Sequence, residues 1–182
     1  MSKFYFSGRE LIVENAELLY GSFRNFSGKK TDFNAEGQRN FNLQVDPEYI
    51  PMLIERGINV KYFKADLYDE DQSENPGFVK VNVNFKSNRP PIIRVRSGEM
   101  GDFVDYTESQ TGHLDTMVFD NVDLVLNPSA YDVRGQKGTS LYLNSGYFTS
   151  HVDPIAEKYE RLKREVKEKF GYESEPEELP FT

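Results

Sequence analysis

Apolar and polar positions alternate with a period of two through much of this chain. The clearest case is residues 78–86, where Val79, Val81, Val83 and Phe85 fall on one side and Lys80, Asn82, Asn84 and Lys86 on the other. That is the pattern of a strand with one face in a core. Residues 40–45 repeat it, with Phe41, Leu43 and Val45 on one face. Residues 11–20 read as another strand, irregular around Asn15 and Ala16. Residues 58–68 read as a long one, with Ile58, Val60, Tyr62 and Lys64 on one face and Asn59, Lys61 and Phe63 on the other. A short strand over 92–96 puts Arg94 and Arg96 on a common face, and residues 116–126 and 139–148 predict two more around a loop at 127–138. Residues 69–77 form a solvated acidic loop, and 97–113 are loop-like.

Helical signals occur in two places. Asp46 and Pro47 resemble an N-cap and a first helical residue, with the helix running to about Arg56 and Gly57 ending it. Asp153 and Pro154 open a longer helix whose apolar stripe is Ile155, Tyr159, Leu162 and Val166, ending at Gly171. Residues 173–182 are acidic and proline-punctuated, which predicts disorder. Strands that do not alternate with helices disfavour a parallel α/β fold. The expected fold is mainly β: an OB-like antiparallel barrel of five strands, or an elaboration of it, with one internal helix, a C-terminal helix and a disordered acidic tail. A plain β-sandwich is the alternative. The divisions are 1–152 for the barrel, 153–171 for the helix and 172–182 for the tail.

Composition narrows the chemistry. The 182 residues contain no cysteine and two histidines, His113 and His151, so disulfides, thiolate metal sites and multi-histidine metal sites are not expected. No apolar run approaches the roughly 18 residues of a membrane helix, and the first ten residues lack a signal peptide's apolar stretch. No membrane association is expected, and the reading is a cytoplasmic protein. Neither histidine has a companion nucleophile, and no phosphate loop or EF-hand spacing is present. No cofactor, metal or catalytic residue is expected.

The net charge of −8 argues at first against a polyanionic partner, but it is unevenly spread. Residues 171–182 carry four Glu and no base, residues 154–170 are net +2 and residues 1–153 are net −6. A nucleic-acid surface must therefore gather its cations locally. Three stretches do so. In residues 21–41, Phe23, Phe26, Phe33 and Phe41 are interleaved with Arg24, Lys29, Lys30 and Arg39. Flat rings for stacking bases beside cations for phosphates are what single-strand binding requires, and the segment lies between the first two strands, where an OB-fold grips oligonucleotides. Phe41 alternates with Leu43 and Val45 and reads as core. Phe23 fits either role. Phe26 and Phe33, among turn residues, read as stacking platforms, the alternative being rings that pin the loop down.

The second stretch, residues 78–98, holds Lys80, Lys86, Arg89, Arg94 and Arg96 and no acid, against the alternative of an edge strand protected by charge. Tyr62 and Lys64 on the preceding strand add to it. The third is the glycine-rich hairpin carrying Arg134 and Lys137, with Tyr142 just beyond, at the position of an OB-fold's second gripping loop. A fourth feature is the tail, where Glu177 and Glu178 precede Leu179, Pro180 and Phe181. An acidic strip can compete with DNA for a basic groove, and an apolar tip can enter a partner's pocket.

These motifs resemble phage-encoded single-stranded DNA-binding proteins of the T7-like and Enc34-like OB-fold group. The resemblance is carried by Phe23-Arg24-Asn25-Phe26-Ser27-Gly28-Lys29, by Phe33-Asn34 followed by Gly37, Arg39, Asn40 and Phe41, by Gly135 through Asn144, and by the Leu179-Pro180-Phe181 tip, although here Thr182 follows the Phe that usually ends such tails. It covers roughly residues 10–150 and the tail. It implies a non-catalytic, largely sequence-independent coat for single-stranded DNA in a phage replication or recombination module, acting in the infected cell. It also implies that the tail recruits replication proteins such as a polymerase or helicase–primase. The C-terminal helix either packs on its own barrel or mediates a homodimer. Two rival readings are an interaction or inhibitor module for a basic-surfaced partner, and a metal-dependent nuclease using Asp66, Asp69 and Asp71.

Overall fold

The computed structural model describes residues 1–32, 34–63 and 76–170, apart from the side chains of Glu157, Glu160 and Phe170. Among them, strands β1 (Lys3–Ser7), β2 (Glu10–Glu14), β3 (Arg24–Asn25), β4 (Arg39–Val45), β5 (Lys61–Tyr62), β6 (Gly77–Val83), β7 (Ile92–Ser97), β8 (Val104–Tyr106), β9 (Phe119–Val133) and β10 (Gln136–Ser150) hydrogen-bond into one sheet. Helices α1 (Ile50–Glu55) and α2 (Pro154–Phe170) accompany three short 3-10 turns at Gly21–Phe23, Pro47–Tyr49 and Glu108–Asp115.

The main path of the sheet is β1-β2-β9-β10-β6-β4-β3, and it closes on itself. After β2, Asn15 takes a left-handed conformation (φ 53°) and the chain bends. Residues 17–19 then run along β4: Leu18 bridges Leu43, the Leu19 amide donates to the Asn42 carbonyl at 3.0 Å, and the Gln44 amide donates to the Glu17 carbonyl at 2.9 Å. The expected irregularity near Asn15 is thus the bend that lets one strand pair with β9 at its start and β4 at its end. This pairing closes the β2-β9-β10-β6-β4 part of the path, while β1, β3, β5 and β8 are each paired on one side. The fold is mainly β and OB-like. Its barrel interior holds Leu11, Val13, Phe41, Leu43, Leu126 and Phe148, each fully buried. Ile50 and Leu53 of α1 join that core.

The barrel strands are antiparallel except where β10 lies parallel to β6 over two residues and to β7 over residues 145–150, with a further parallel bridge between Ile58 and Thr139. Three expectations change. An N-terminal strand, β1, pairs with β2 across a turn at Gly8 (φ 62°). The 58–68 strand contracts to β5, and residues 64–68 lie outside the described ones. The 127–138 loop is instead ladder: β9 and β10 run on to a two-residue turn at Arg134 (φ 52°) and Gly135 (φ 80°), the geometry of a tight hairpin. Beyond Leu126 and Leu141 this ribbon leaves the core, and most of its side chains face solvent.

Asp153 caps α2 as expected, its carboxylate accepting the Ile155 amide at 2.9 Å. The stripe Ile155, Tyr159, Leu162 and Val166 stays exposed. The helix is tied back through Arg164 and Asp102 (3.5 Å). No described helix is long and apolar enough to cross a membrane.

Candidate nucleic-acid interface

Cross-strand partners share a face of a sheet. The row Asn25–Asn40–Asn82–Tyr142 and the row Asn42–Lys80 therefore point outward, while Phe41–Val81–Leu141 points into the barrel. Gln44 and Phe78 form the next outward row, and Lys61 of β5 pairs with Phe78. One outer face of β4 and β6 thus carries amides, two lysines and an aromatic ring. The 20–38 loop walls it on one side and the β9–β10 ribbon on the other.

Two clefts indent this face. The larger, about 520 Å³, lies against the loop and includes Phe23, Asn40, Asn42 and Phe78. The smaller, about 190 Å³, lies against the ribbon and includes Asn82, Tyr131 and Thr139. Lys61 and Lys80 line both, so the clefts adjoin across these two lysines and read as one groove. The Phe23 ring meets Phe78 edge-on (5.4 Å), and Phe63 covers the same Phe78 at 5.0 Å. Phe23 and Phe63 keep about two-fifths of their surface exposed.

The loop wall is rigidly built. Asn25 accepts the Lys29 amide (3.0 Å) and donates to the Lys29 carbonyl (2.9 Å), and the Gly37 amide donates to the Gly28 carbonyl (2.8 Å). The carboxylate of Asp115 accepts the amides of Phe26 (2.6 Å) and Ser27 (3.2 Å).

The structure distributes the candidate residues unevenly. Phe23 and Lys80 line the groove, Lys29 and Lys30 are exposed on its loop wall, and Tyr142 stands on the same outer face. Phe26 is a correction. It is fully buried, stacked on Phe41 (centroids 4.7 Å apart) and edge-on to Phe148 at 6.0 Å, so no base can reach it. Arg24 is a second correction. Paired with Phe41, it faces inward, and its guanidinium donates to the carbonyls of Leu18 (3.4 Å), Leu19 (3.1 Å), Leu114 (3.2 Å) and Met117 (2.7 Å). Burial lowers its pKa, partly opposed by Tyr20 and Asp115. Arg39 is likewise committed, donating to the Phe26 carbonyl (2.6 Å) and pairing with Glu108 at 3.4 Å.

Tyr62 pairs with Gly77 and so points to the opposite side of β5 from Lys61. Arg94 and Arg96 do share a face, alongside Tyr147 and Thr149 farther along β10. Arg94 pairs with Asp105 (3.3 Å) and donates to the Tyr147 hydroxyl. Arg96 donates to Thr149 (2.8 Å) and covers the Phe103 ring at 4.6 Å. Arg134 and Lys137 sit at the ribbon tip, and Lys86 and Arg89 lie in the exposed β6–β7 connection. Phe33, Lys64, the acids Asp66, Asp69 and Asp71, and the tail residues Glu177, Glu178, Leu179, Pro180 and Phe181 lie outside the described residues. Among the described ones no three His, Cys, Asp or Glu side chains gather into a metal-binding group.

Sequence reading passed over Phe63, Phe78, Tyr131 and the outward asparagines. The β6 alternation that puts Val79 inside also puts Phe78 outside beside Lys80, so that signal was present.

A closed β-barrel with an aromatic and cationic groove between two loops defines an oligonucleotide-binding type of domain. The chain belongs to the family described as "Putative phage ssDNA-binding domain", whose profile matches residues 1–175. Its function is the binding of single-stranded DNA in a phage module. Among solved structures, it is similar to the single-stranded DNA-binding protein from bacteriophage Enc34 in complex with ssDNA (14% identity, 82% of this chain and 90% of that chain, TM-score 0.49). It is also similar to gp2.5, a single-stranded DNA-binding protein encoded by bacteriophage T7 (8% identity, 84% of this chain and 89% of that chain, TM-score 0.40). No curated protein sequence matches it significantly.

Proposed function

We propose that the protein coats single-stranded DNA without catalysis, in the infected cell, by laying the strand along the groove between the 20–38 loop and the β9–β10 ribbon. The observation that supports this most is that both clefts share Lys61 and Lys80 and are lined by the exposed aromatics Phe23 and Tyr131. Bases stack on the rings while phosphates track the ammonium groups. Arg134 and Lys137 at the ribbon tip, and Lys29 and Lys30 on the loop, extend the cationic track beyond the groove. Residues 1–152 act as the DNA-binding body, and residues 153–171 and 172–182 serve partners. The exposed stripe on α2 suits self-association into a homodimer. The acidic tail, with its Leu179-Pro180-Phe181 tip, competes with DNA for the groove and recruits replication proteins.

The test is anisotropy with single-stranded and duplex oligonucleotides at two salt concentrations, on the full chain and on one ending at residue 172. The full chain should prefer the single strand and weaken with salt. Truncation should tighten binding by about three- to tenfold at low salt, as expected for removing four internal acids. Equal binding to duplex and single strand would reject the groove reading, and an unchanged affinity after truncation would reject the competing tail.

The ribbon offers an independent check. Tyr131 stands directly opposite Gly138, and its ring crosses the space where a Cβ at Gly138 would sit. Gly138→Ala therefore displaces Tyr131 from the smaller cleft. Affinity should fall by about 1 kcal/mol, the low end for one stacked base, with the thermal midpoint unchanged.

A further inference from the structure

We propose that the larger cleft is a nucleobase pocket that reads the base edge with hydrogen-bond acceptors, and so favours bases bearing an exocyclic amino group over thymine. This rests on the groove reading above and adds a preference within it.

The hydrogen bonds fix which way the asparagines point. The amide nitrogen of Asn34 shares its two hydrogens among three carbonyls, those of Lys29 (3.2 Å), Ala35 (3.1 Å) and Gln38 (2.8 Å). Its other atom must therefore be the oxygen, and that oxygen accepts from Asn40 Nδ2 at 2.8 Å. Asn40 is thereby oriented with its nitrogen turned inward. Asn42 is oriented independently, because its Nδ2 donates to the Phe23 carbonyl at 2.8 Å. Neither Asn40 Oδ1 nor Asn42 Oδ1 takes a hydrogen bond from another described residue. Both side chains belong to residues more than nine-tenths buried, at 8% and 9% exposure. Yet no buried side-chain nitrogen or oxygen among the described residues is left without a partner. Both residues line the larger cleft, so with their nitrogens committed elsewhere their oxygens are the polar atoms left to face it.

Two residues apart on one strand, the oxygens spring from backbone positions about 6.6 Å apart. With the acidic residue Asp32 also on the lining, this part of the cleft repels a phosphate, whose oxygens are acceptors too. Phosphates are left to Lys61 and Lys80, and a base enters with Phe23 as a stacking wall. Cytosine, adenine and guanine each carry an amino group that can donate to an asparagine oxygen. Thymine has one N–H between two carbonyls, and those carbonyls face acceptors. An unmatched polar edge in a desolvated pocket is penalised more than a matched one is rewarded.

The test compares oligo-dT with oligo-5-methyl-dC of equal length, at slightly alkaline pH and fixed salt. The two bases share the methyl group and differ only in the keto and imino groups against the amino group and ring nitrogen. The full chain should bind the 5-methyl-dC strand about tenfold more tightly, one good base-edge contact's worth of discrimination. In Asn42→Ala the ratio should fall to within about threefold, with circular dichroism and a thermal unfolding curve reporting that the variant is folded. Lys80→Ala should weaken both strands alike and leave the ratio intact. Equal wild-type affinity for the two strands overturns the pocket and leaves the groove standing. A preference undiminished in Asn42→Ala overturns the assignment to these asparagines. Binding to neither strand overturns both the groove and the pocket.

Discussion

Phe26→Ala is expected to lower the free energy of unfolding by about 3–5 kcal/mol, the usual cost of emptying a fully buried phenylalanine site. The ring is fully buried, stacked on Phe41 and edge-on to Phe148, so it joins β4, β10 and the 20–38 loop. Its own backbone is held as well. The amide donates to Asp115 and the carbonyl accepts from Arg39. Deleting the ring therefore leaves a cavity between elements that cannot easily collapse, and it unpins the loop that walls the groove. Urea denaturation should show a lower midpoint with an unchanged slope. Any loss of DNA binding should track the unfolded fraction and disappear in conditions where the variant is fully folded. A variant as stable as the parent that still binds DNA weakly would return Phe26 to the interface.

That reassignment shows what the sequence could and could not convey. The strands β4 and β6 were legible because each has one face in the core, and a period of two is the imprint of that asymmetry. Phe41, Leu43 and Val81 fell inside as their alternation required. Asp153 was legible as a cap because capping is a local interaction. Phe26 and Arg24 were not legible, because β3 is two residues long and its phase is set by the pairing of Arg24 with Phe41, seventeen positions away. Too few residues repeat for a period to appear. The ribbon was missed for the opposite reason, since with solvent on both faces nothing selects an alternating sequence.

Charge was misread through distance along the chain. The stretch around Arg94 and Arg96 contains no acid, but folding brings Asp105 against Arg94 and Glu108 against Arg39. Local counts of cations measure a surface only where no distant acid returns to it. Tyr62 and Lys61 were correctly placed on opposite faces. The pairing of Lys61 with Phe78 then decides which face meets the groove, and that is a tertiary fact.

Replacing Lys61 and Lys80 together by alanine is expected to weaken single-strand binding about thirtyfold at moderate salt, or about 2 kcal/mol for two charge-assisted contacts. The salt dependence should fall with it. Each phosphate neutralised on a single strand contributes about 0.7 to the slope of log K against log salt, so losing two contacts should lower its magnitude by about 1.4. Both lysines are exposed, and among the described residues neither takes part in an ion pair, so their removal should leave stability within about 0.5 kcal/mol. Arg94 and Arg96 provide the contrast. Arg94 is matched by Asp105 and Tyr147, and Arg96 by Thr149 and the Glu99 carbonyl, so their replacement by alanine should barely move the slope. The reverse result, with the arginine pair changing the slope and the lysine pair leaving it alone, would relocate the strand from the β4–β6 face to the β7–β10 side of the sheet. The two tracks leave β10 at different points, Tyr142 on one side of its bulge and Tyr147 on the other, so the slope measured on these two double variants decides which side of that bulge the phosphates follow.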